Sequence, residues 1–129
     1  MNNKFDHEDY GQLAIRVLAM PNNTNPSGEI FGGWIVSQMD LAGLSLAARY
    51  ASYKIVTVAI DSMKFIAPVY VGDFVCCYVA IERMGNTSIT LKITTCAVNA
   101  AGENRRKVTE GLFTYVSLGK DGKPMPLKK

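Results

Sequence analysis

The sequence predicts an α+β domain in which a curved antiparallel β-sheet wraps around one long central helix. One observation is the run at residues 33–50, which lacks proline, contains many helix-forming residues and is apolar nearly all round. The other is a downstream series of segments rich in Val, Ile and Thr that are linked mostly by short turns, which favour antiparallel neighbours. A helix with apolar residues on all sides must be covered, and the sheet can cover it.

The predicted order of elements is one strand, a polar loop, the helix and then four more strands. The strands are expected at residues 13–20, 54–66, 74–81, 88–94 and 107–118. The strand at 74–81 is apolar on both faces, so it is expected between layers or in a subunit contact. The strand at 88–94 alternates, which predicts a face covered by Ile89, Leu91 and Ile93 and a wet face of Ser88, Thr90, Lys92 and Thr94.

The length and composition limit the size and the partners of the molecule. With 129 residues, 48% of them hydrophobic and 19% charged, the chain is expected to form a single domain over residues 1–129. Residues 1–10 and 119–129 are expected to be flexible tails. The net charge of +3 is small and dispersed, so no nucleic-acid partner is expected. The apolar surfaces predict a homo-oligomer.

Several classes of site are disfavoured by what the chain contains. Its single histidine, His7, lies in a polar start, which argues against a Ser-His-Asp or Cys-His nucleophile and against most zinc sites. We expect Cys76, Cys77 and Cys96 to be buried structural thiols, because they lack the C-x-x-C spacing of metal and redox sites. The sequence predicts no metal. No signal-peptide pattern opens the chain, so the expected location is cytoplasmic.

Asp40 is the strongest single indication of chemistry. It lies in the middle of a predicted helix with almost no other charge, where an aspartate is costly to bury unpaired. A membrane span would carry this charge near its midpoint at about 3 kcal/mol, so no membrane partner is expected. The pattern leaves two interpretations open. The helix face is locally open to water, or the carboxylate is held in a cleft as a nucleophile or general base.

A polar loop precedes the helix, and Gly32 and Gly33 join the two. Glycines leave backbone N–H groups accessible, and such groups at a helix N-terminus can bind an anion or a developing oxyanion. Ordinary turn chemistry and close packing explain the same residues equally well.

An ordered series of short matches resembles one family. It begins with Leu-Ala-Met-Pro at 18–21, Thr-Asn at 24–25, Gly-Glu-Ile-Phe-Gly-Gly-Trp-Ile at 28–35 and Ser-Gln-Met-Asp at 37–40. It continues at 56–59, 62–63, 65–66, 71–73, 75–78, 109–110 and 113–116. In this order the matches resemble the YciA-type acyl-CoA thioesterases of the hotdog fold, and they cover residues 13–118.

The resemblance implies hydrolysis of acyl-coenzyme A to free coenzyme A and a carboxylic acid, as in fatty acid metabolism. No cofactor is expected, because coenzyme A is part of the substrate. The family's catalytic aspartate corresponds to Asp40 and its catalytic asparagine to Asn25. The resemblance implies that these two come from different subunits of a dimer, which is the catalytic unit, and that three such dimers form a hexamer.

The implied roles suit the residue types. Asp40 is expected to act as a general base on water or as a nucleophile. Asn25 is expected to orient the water or to polarise the thioester carbonyl. The backbone N–H groups of Gly32 or Gly33 are the candidates for the oxyanion hole.

The turn that contains Gly85, Thr87 and Ser88 resembles the family's Gly-x-Ser-Ser or Gly-x-Thr-Ser turn near the nucleotide, which makes these residues candidates for substrate binding. Ordinary hairpin chemistry explains the turn as well.

Two other functions compete with the thioesterase. The resemblance implies that a hotdog dehydratase uses a histidine close to the active helix, and this chain has none there. A non-catalytic acyl-CoA-binding hotdog module has no reason to hold a carboxylate at the thioester.

Overall fold

The computed structural model describes residues 10–128, so His7 and all of the predicted N-terminal tail except Tyr10 lie outside the described residues. The helix α1 runs over Gly32–Ala47 and is followed by a short 3-10 helix at Ala48–Tyr50. A second short 3-10 helix, Pro21–Asn23, lies in the loop before α1. The strands are β1 (Gln12–Leu18), β2 (Lys54–Phe65), β3 (Phe74–Met84), β4 (Ser88–Val98) and β5 (Arg106–Leu118).

The five strands form one antiparallel sheet in the order β1-β3-β4-β5-β2, and α1 packs against all of them. The predicted architecture, one central helix on an antiparallel sheet, is confirmed. β3 and β4 run several residues past their predicted ends, to Met84 and Val98. Backbone pairing between the two strands extends the ladder beyond the segments that hydrophobic patterning marked.

The prediction of a fully wet face on β4 is wrong for two of its residues. Lys92 is exposed as expected, but Thr90 is only 7% exposed and Thr94 only 1%. The Thr90 hydroxyl shares a hydrogen bond of 3.0 Å with the Thr114 hydroxyl on β5, and Thr94 lies opposite the buried Tyr78 on β3. Neighbouring strands therefore cover hydroxyl side chains that the alternation places outside.

The three cysteines are buried and form no disulfide in the structure, as predicted. Cys77 belongs to the main core beneath the helix, whereas Cys76 and Cys96 belong to a smaller cluster with Tyr78. The neighbours Cys76 and Cys77 therefore face opposite sides of the sheet. Burial raises the pKa of the Cys77 thiol to about 12 and also raises the pKa values of the other two thiols. All three thiols stay protonated and poorly reactive near neutral pH.

The helix is covered on one side only. It buries Ile35, Met39, Ala42, Gly43 and Ala47. On another side Leu41 is 54% exposed and Leu44 is 37% exposed. Within residues 10–128, no helix combines the length and hydropathy that a membrane-spanning segment needs.

Strand β2 also leaves apolar surface open. It lies at one end of the sheet, so that only β5 pairs with it in the described chain. On this edge strand Val58 is 54% exposed and Ile60 is 40% exposed. An exposed apolar helix face together with an apolar edge strand is typical of a surface that another subunit covers.

The C-terminal segment, residues 119–128, differs from the flexible tail that the sequence predicts. Its backbone N–H groups at Met125, Leu127 and Lys128 donate hydrogen bonds of 2.8 Å to the carbonyl groups of Ser117, Asn86 and Tyr50 respectively. The side chain of Leu127 is 7% exposed and belongs to the core. A single apolar anchor carries no periodicity, which is why sequence patterning missed this segment.

We expect Leu127→Ala to lower the free energy of unfolding by about 2 kcal/mol, because it removes a buried side chain at the edge of the core. Urea denaturation monitored by circular dichroism measures this change. Lys128→Ala is the matched control, since Lys128 is exposed and its backbone hydrogen bond to Tyr50 is kept. Equal midpoints for the two variants would contradict an anchoring role for Leu127.

Candidate active site

Asp40 lies in the middle of α1, half-buried, on the side that faces β2 and β5. Its Oδ1 accepts a hydrogen bond of 2.7 Å from the Thr57 hydroxyl on β2. The same oxygen accepts one of 3.1 Å from the Tyr115 hydroxyl on β5. Among residues 10–128 no donor contacts Oδ2. The carboxylate is therefore held by one oxygen and open at the other.

The Tyr115 hydroxyl lies between the carboxylate and the helix backbone. Besides Oδ1 of Asp40, it contacts the backbone carbonyl oxygen of the same residue at 2.9 Å. Burial, and next to it the negative charge of Asp40, raises the pKa of Tyr115. The phenol consequently stays protonated over the whole physiological pH range and remains a hydrogen-bond donor.

Asn25 lies in the loop before the helix, and its side-chain oxygen organises that loop. Oδ1 accepts hydrogen bonds from the backbone N–H groups of Ser27 at 2.9 Å and Glu29 at 3.1 Å. The loop closes through the Asn25 backbone N–H, which donates to the Glu29 carbonyl at 2.6 Å. The side-chain NH₂ group has no partner in the described part of the chain, so it is the part of Asn25 that can reach a substrate.

An open groove of about 330 Å³ lies beside this loop and the start of α1. Asn25 and Gly32 line it together with apolar side chains, chiefly Ile30, Ile35, Phe65 and Val69. A Cβ at Gly32 would lie 2.8 Å from the Phe65 ring, so a larger residue there would displace this exposed ring from the groove. The N–H groups of Gly32 and Gly33 open the helix, and within residues 10–128 no acceptor pairs with them.

One chain does not bring all the predicted catalytic residues together. Gly32 begins α1 and Asp40 lies in its middle, so their backbones are about 12 Å apart along the helix axis. Asp40 is absent from the lining of the groove, and no hydrogen bond joins it to Asn25 in the described chain. The predicted catalytic residues thus fall into two separate parts. One part is the Asp40 carboxylate, and the other is the groove with Asn25 and the helix N-terminus.

The turn at 85–88 is a β-hairpin turn between β3 and β4. The Gly85 N–H donates to the Ser88 carbonyl at 2.8 Å, and the Thr87 carbonyl accepts from the Ser117 N–H at 2.9 Å. The first bond closes the hairpin and the second joins the turn to β5, so backbone bonding within the sheet accounts for this turn. A contact of Gly85, Thr87 and Ser88 with coenzyme A stays a prediction.

Sequence reasoning missed Thr57 and Tyr115, the two donors that hold Asp40. In the sequence both look like ordinary strand residues with high β-propensity. The only available signal was the glycine at position 43, on the same helix face as Asp40, which left room for a large side chain from the sheet. Within residues 10–128, no three His, Cys, Asp or Glu side chains cluster in a way that would hold a metal ion.

Comparison with known proteins assigns the family. The sequence profile of the thioesterase superfamily matches residues 27–99. The acyl-CoA thioester hydrolase YciA of Salmonella typhimurium is 47% identical over 125 residues, which are 95% of this chain and 94% of that protein. This chain belongs to the thioesterase superfamily. The resemblance to YciA-type thioesterases that the short matches indicate is confirmed.

Solved structures of other thioesterases support the assignment of this chain to the thioesterase superfamily. A hexameric thioesterase from Yersinia pestis is 44% identical, with a TM-score of 0.86 over 92% of this chain and 98% of that one. A hexameric hotdog fold thioesterase of Campylobacter jejuni is 41% identical, with a TM-score of 0.84 over 93% of this chain and 92% of that one. The predicted hotdog fold is confirmed.

Proposed function

We propose that this chain hydrolyses the thioester bond of acyl-coenzyme A, giving free coenzyme A and a carboxylic acid. The observation that carries the proposal is the Asp40 carboxylate, which two hydroxyl groups hold by Oδ1 while Oδ2 stays open. The relative at 47% identity is named as an acyl-CoA thioester hydrolase, which supports the same activity. No cofactor enters the reaction, because coenzyme A is part of the substrate.

Oδ2 of Asp40 has two routes to the product. As a general base, it takes a proton from a water molecule whose oxygen attacks the thioester carbonyl, and the tetrahedral intermediate collapses with loss of the coenzyme A thiolate. As a nucleophile, it attacks the carbonyl itself, releases the thiolate and forms an anhydride that water then hydrolyses. In both routes the carbonyl oxygen becomes an oxyanion, for which the N–H groups of Gly32 and Gly33 are the proposed donors.

We propose that the complete site forms between two subunits. In this arrangement Asp40 of one subunit faces the groove, the Asn25 side-chain NH₂ and the helix N-terminus of the other. The separation of about 12 Å between Gly32 and Asp40 within one helix supports it. The exposed Leu41 and Val58 support it as well, because a second subunit would bury them. The hexameric relatives favour a homohexamer assembled from such dimers.

The groove suits the acyl chain, and the hairpin turn is the proposed position of the nucleotide. The groove lining is mostly apolar, as a fatty acyl group requires. The hydroxyl groups of Thr87 and Ser88 are the proposed donors to the coenzyme A moiety, with Gly85 allowing a close approach of the backbone.

Release of free thiol from acyl-coenzyme A tests this proposal. The purified chain is incubated with coenzyme A esters of increasing acyl length, and the new thiol is titrated with a chromogenic disulfide. We expect turnover with a kcat in the usual range of about 1–10³ s⁻¹ for at least one chain length. Calorimetric binding of the same esters without any thiol release would contradict hydrolysis and would identify a binding module.

A further inference from the structure

We infer that Tyr115 is a positioning residue for this hydrolysis: its hydroxyl fixes Oδ1 of Asp40, through a gap left by Gly43, so that Oδ2 is the oxygen presented to the substrate. The inference rests on the proposed function, in which Asp40 is the reacting carboxylate. Tyr115 does not act on the thioester itself and works through Asp40.

Within residues 10–128, both side-chain donors that bind the Asp40 carboxylate reach the same oxygen. Thr57 approaches Oδ1 from β2 at 2.7 Å and Tyr115 approaches it from β5 at 3.1 Å. A carboxylate held by two donors from different strands cannot exchange its oxygens by rotating about the Cβ–Cγ bond without breaking both hydrogen bonds. The donors therefore select Oδ2 as the oxygen for proton transfer or attack.

Gly43 provides the space that this contact needs. It lies on the face of α1 that carries Asp40, and it is buried. A Cβ at this position would overlap the Tyr115 hydroxyl and would lie 2.8 Å from Cδ1 of Ile93. Glycine is the least favourable residue in a helix interior apart from proline, so a glycine there calls for a packing reason. The approach of the phenol to the helix is that reason.

A purely structural role for Tyr115 predicts a different pattern of contacts. A buried phenol needs only one acceptor, but the single phenolic proton of Tyr115 is shared between two, the Asp40 backbone carbonyl at 2.9 Å and the carboxylate Oδ1 at 3.1 Å. The additional contact with the carboxylate oxygen is what links Tyr115 to the reaction. The two roles separate experimentally, because a structural role affects unfolding and a positioning role affects kcat.

The test replaces Tyr115 by phenylalanine, which removes the hydroxyl and keeps the ring. We expect Tyr115→Phe to lower kcat roughly 10- to 100-fold with KM within about twofold, since small misplacements of a reacting group cost about that much. Tyr78→Phe is the matched control, because Tyr78 is also a buried tyrosine with a hydrogen-bonded hydroxyl but lies in the separate cluster on the other side of the sheet. It should leave kcat unchanged.

Thermal unfolding and three further substitutions keep the test decisive. If Tyr115→Phe fails to unfold cooperatively, the pair Thr57→Val and Thr57→Ser tests the same oxygen selection from β2. Valine should lower kcat, and serine, which retains the hydroxyl, should restore it. Gly43→Ala should lower kcat in the wild-type chain by displacing the hydroxyl, and should add a smaller loss in the Tyr115→Phe background, where only the contacts with Ile93 Cδ1 and the ring carbon, both at 2.8 Å, remain.

The results separate this inference from the proposed function. A wild-type chain that releases thiol, together with a Tyr115→Phe chain whose kcat is unchanged or whose loss lies in KM alone, overturns the role of Tyr115 and leaves the hydrolysis standing. A wild-type chain that releases no thiol overturns both.

Discussion

Asp40→Asn is expected to lower kcat by roughly 10²–10⁴-fold, the usual contribution of a positioned general acid or base. Asparagine has nearly the same shape, and its amide oxygen can still accept the hydrogen bonds from Thr57 and Tyr115. It can neither take a proton from water nor attack a thioester. The fold should therefore persist while the chemistry is lost. Thiol release over a range of acyl-coenzyme A concentrations gives kcat and KM, and thermal unfolding reports the fold.

The control for this variant is Glu103→Gln, which neutralises an exposed carboxylate in the turn between β4 and β5. Its kcat should equal that of the wild type. If Asp40→Asn hydrolyses acyl-coenzyme A as fast as the control, Asp40 is not the reacting group. If neither variant nor wild type releases thiol while all three bind the ester, the chain is a non-catalytic acyl-CoA-binding module.

Mixing two inactive variants is expected to restore activity. A chain with Asp40→Asn keeps Asn25, and a chain with Asn25→Ala keeps Asp40. If each site takes these residues from different subunits, a mixed dimer has one complete site and one site that lacks both. Random pairing of equal amounts makes about half of the dimers mixed, so activity should recover to about a quarter of the wild-type value.

The experiment requires that subunits exchange, so the two variants are co-expressed with different affinity tags and the doubly tagged species is purified. This species contains both variants, and its specific activity is compared with each variant purified alone. Recovery of activity only in the mixed species supports a shared site. A mixed species as inactive as its parents would show that Asp40 and Asn25 act within one chain or that Asn25→Ala damages more than its own position.

The sequence predicted the fold better than the details of packing. Apolar periodicity marked α1 and all five strands, because these elements bury one or both faces and their side-chain pattern records it. The ends of β3 and β4 and the burial of Thr90 and Thr94 depend on neighbouring strands, which no local pattern contains.

The sequence predicted a site residue only where its charge differs from the apolar residues around it. Asp40 is a charge in an otherwise apolar helix, so it stood out without any knowledge of the fold. Thr57 and Tyr115 contribute through the register of β2 and β5 against α1, and that register is a tertiary property. The loop oxygen of Asn25 also became interpretable only when its backbone partners were known.

The unpaired edge of β2 affects the tendency of a separate subunit to aggregate. An unpaired strand with exposed Val58 and Ile60 is a template for pairing with other chains, and such edges promote aggregation. In the proposed dimer the surface that completes the site also shields this edge. In that dimer, a subunit that loses its partner would lose its activity and its protection against aggregation together.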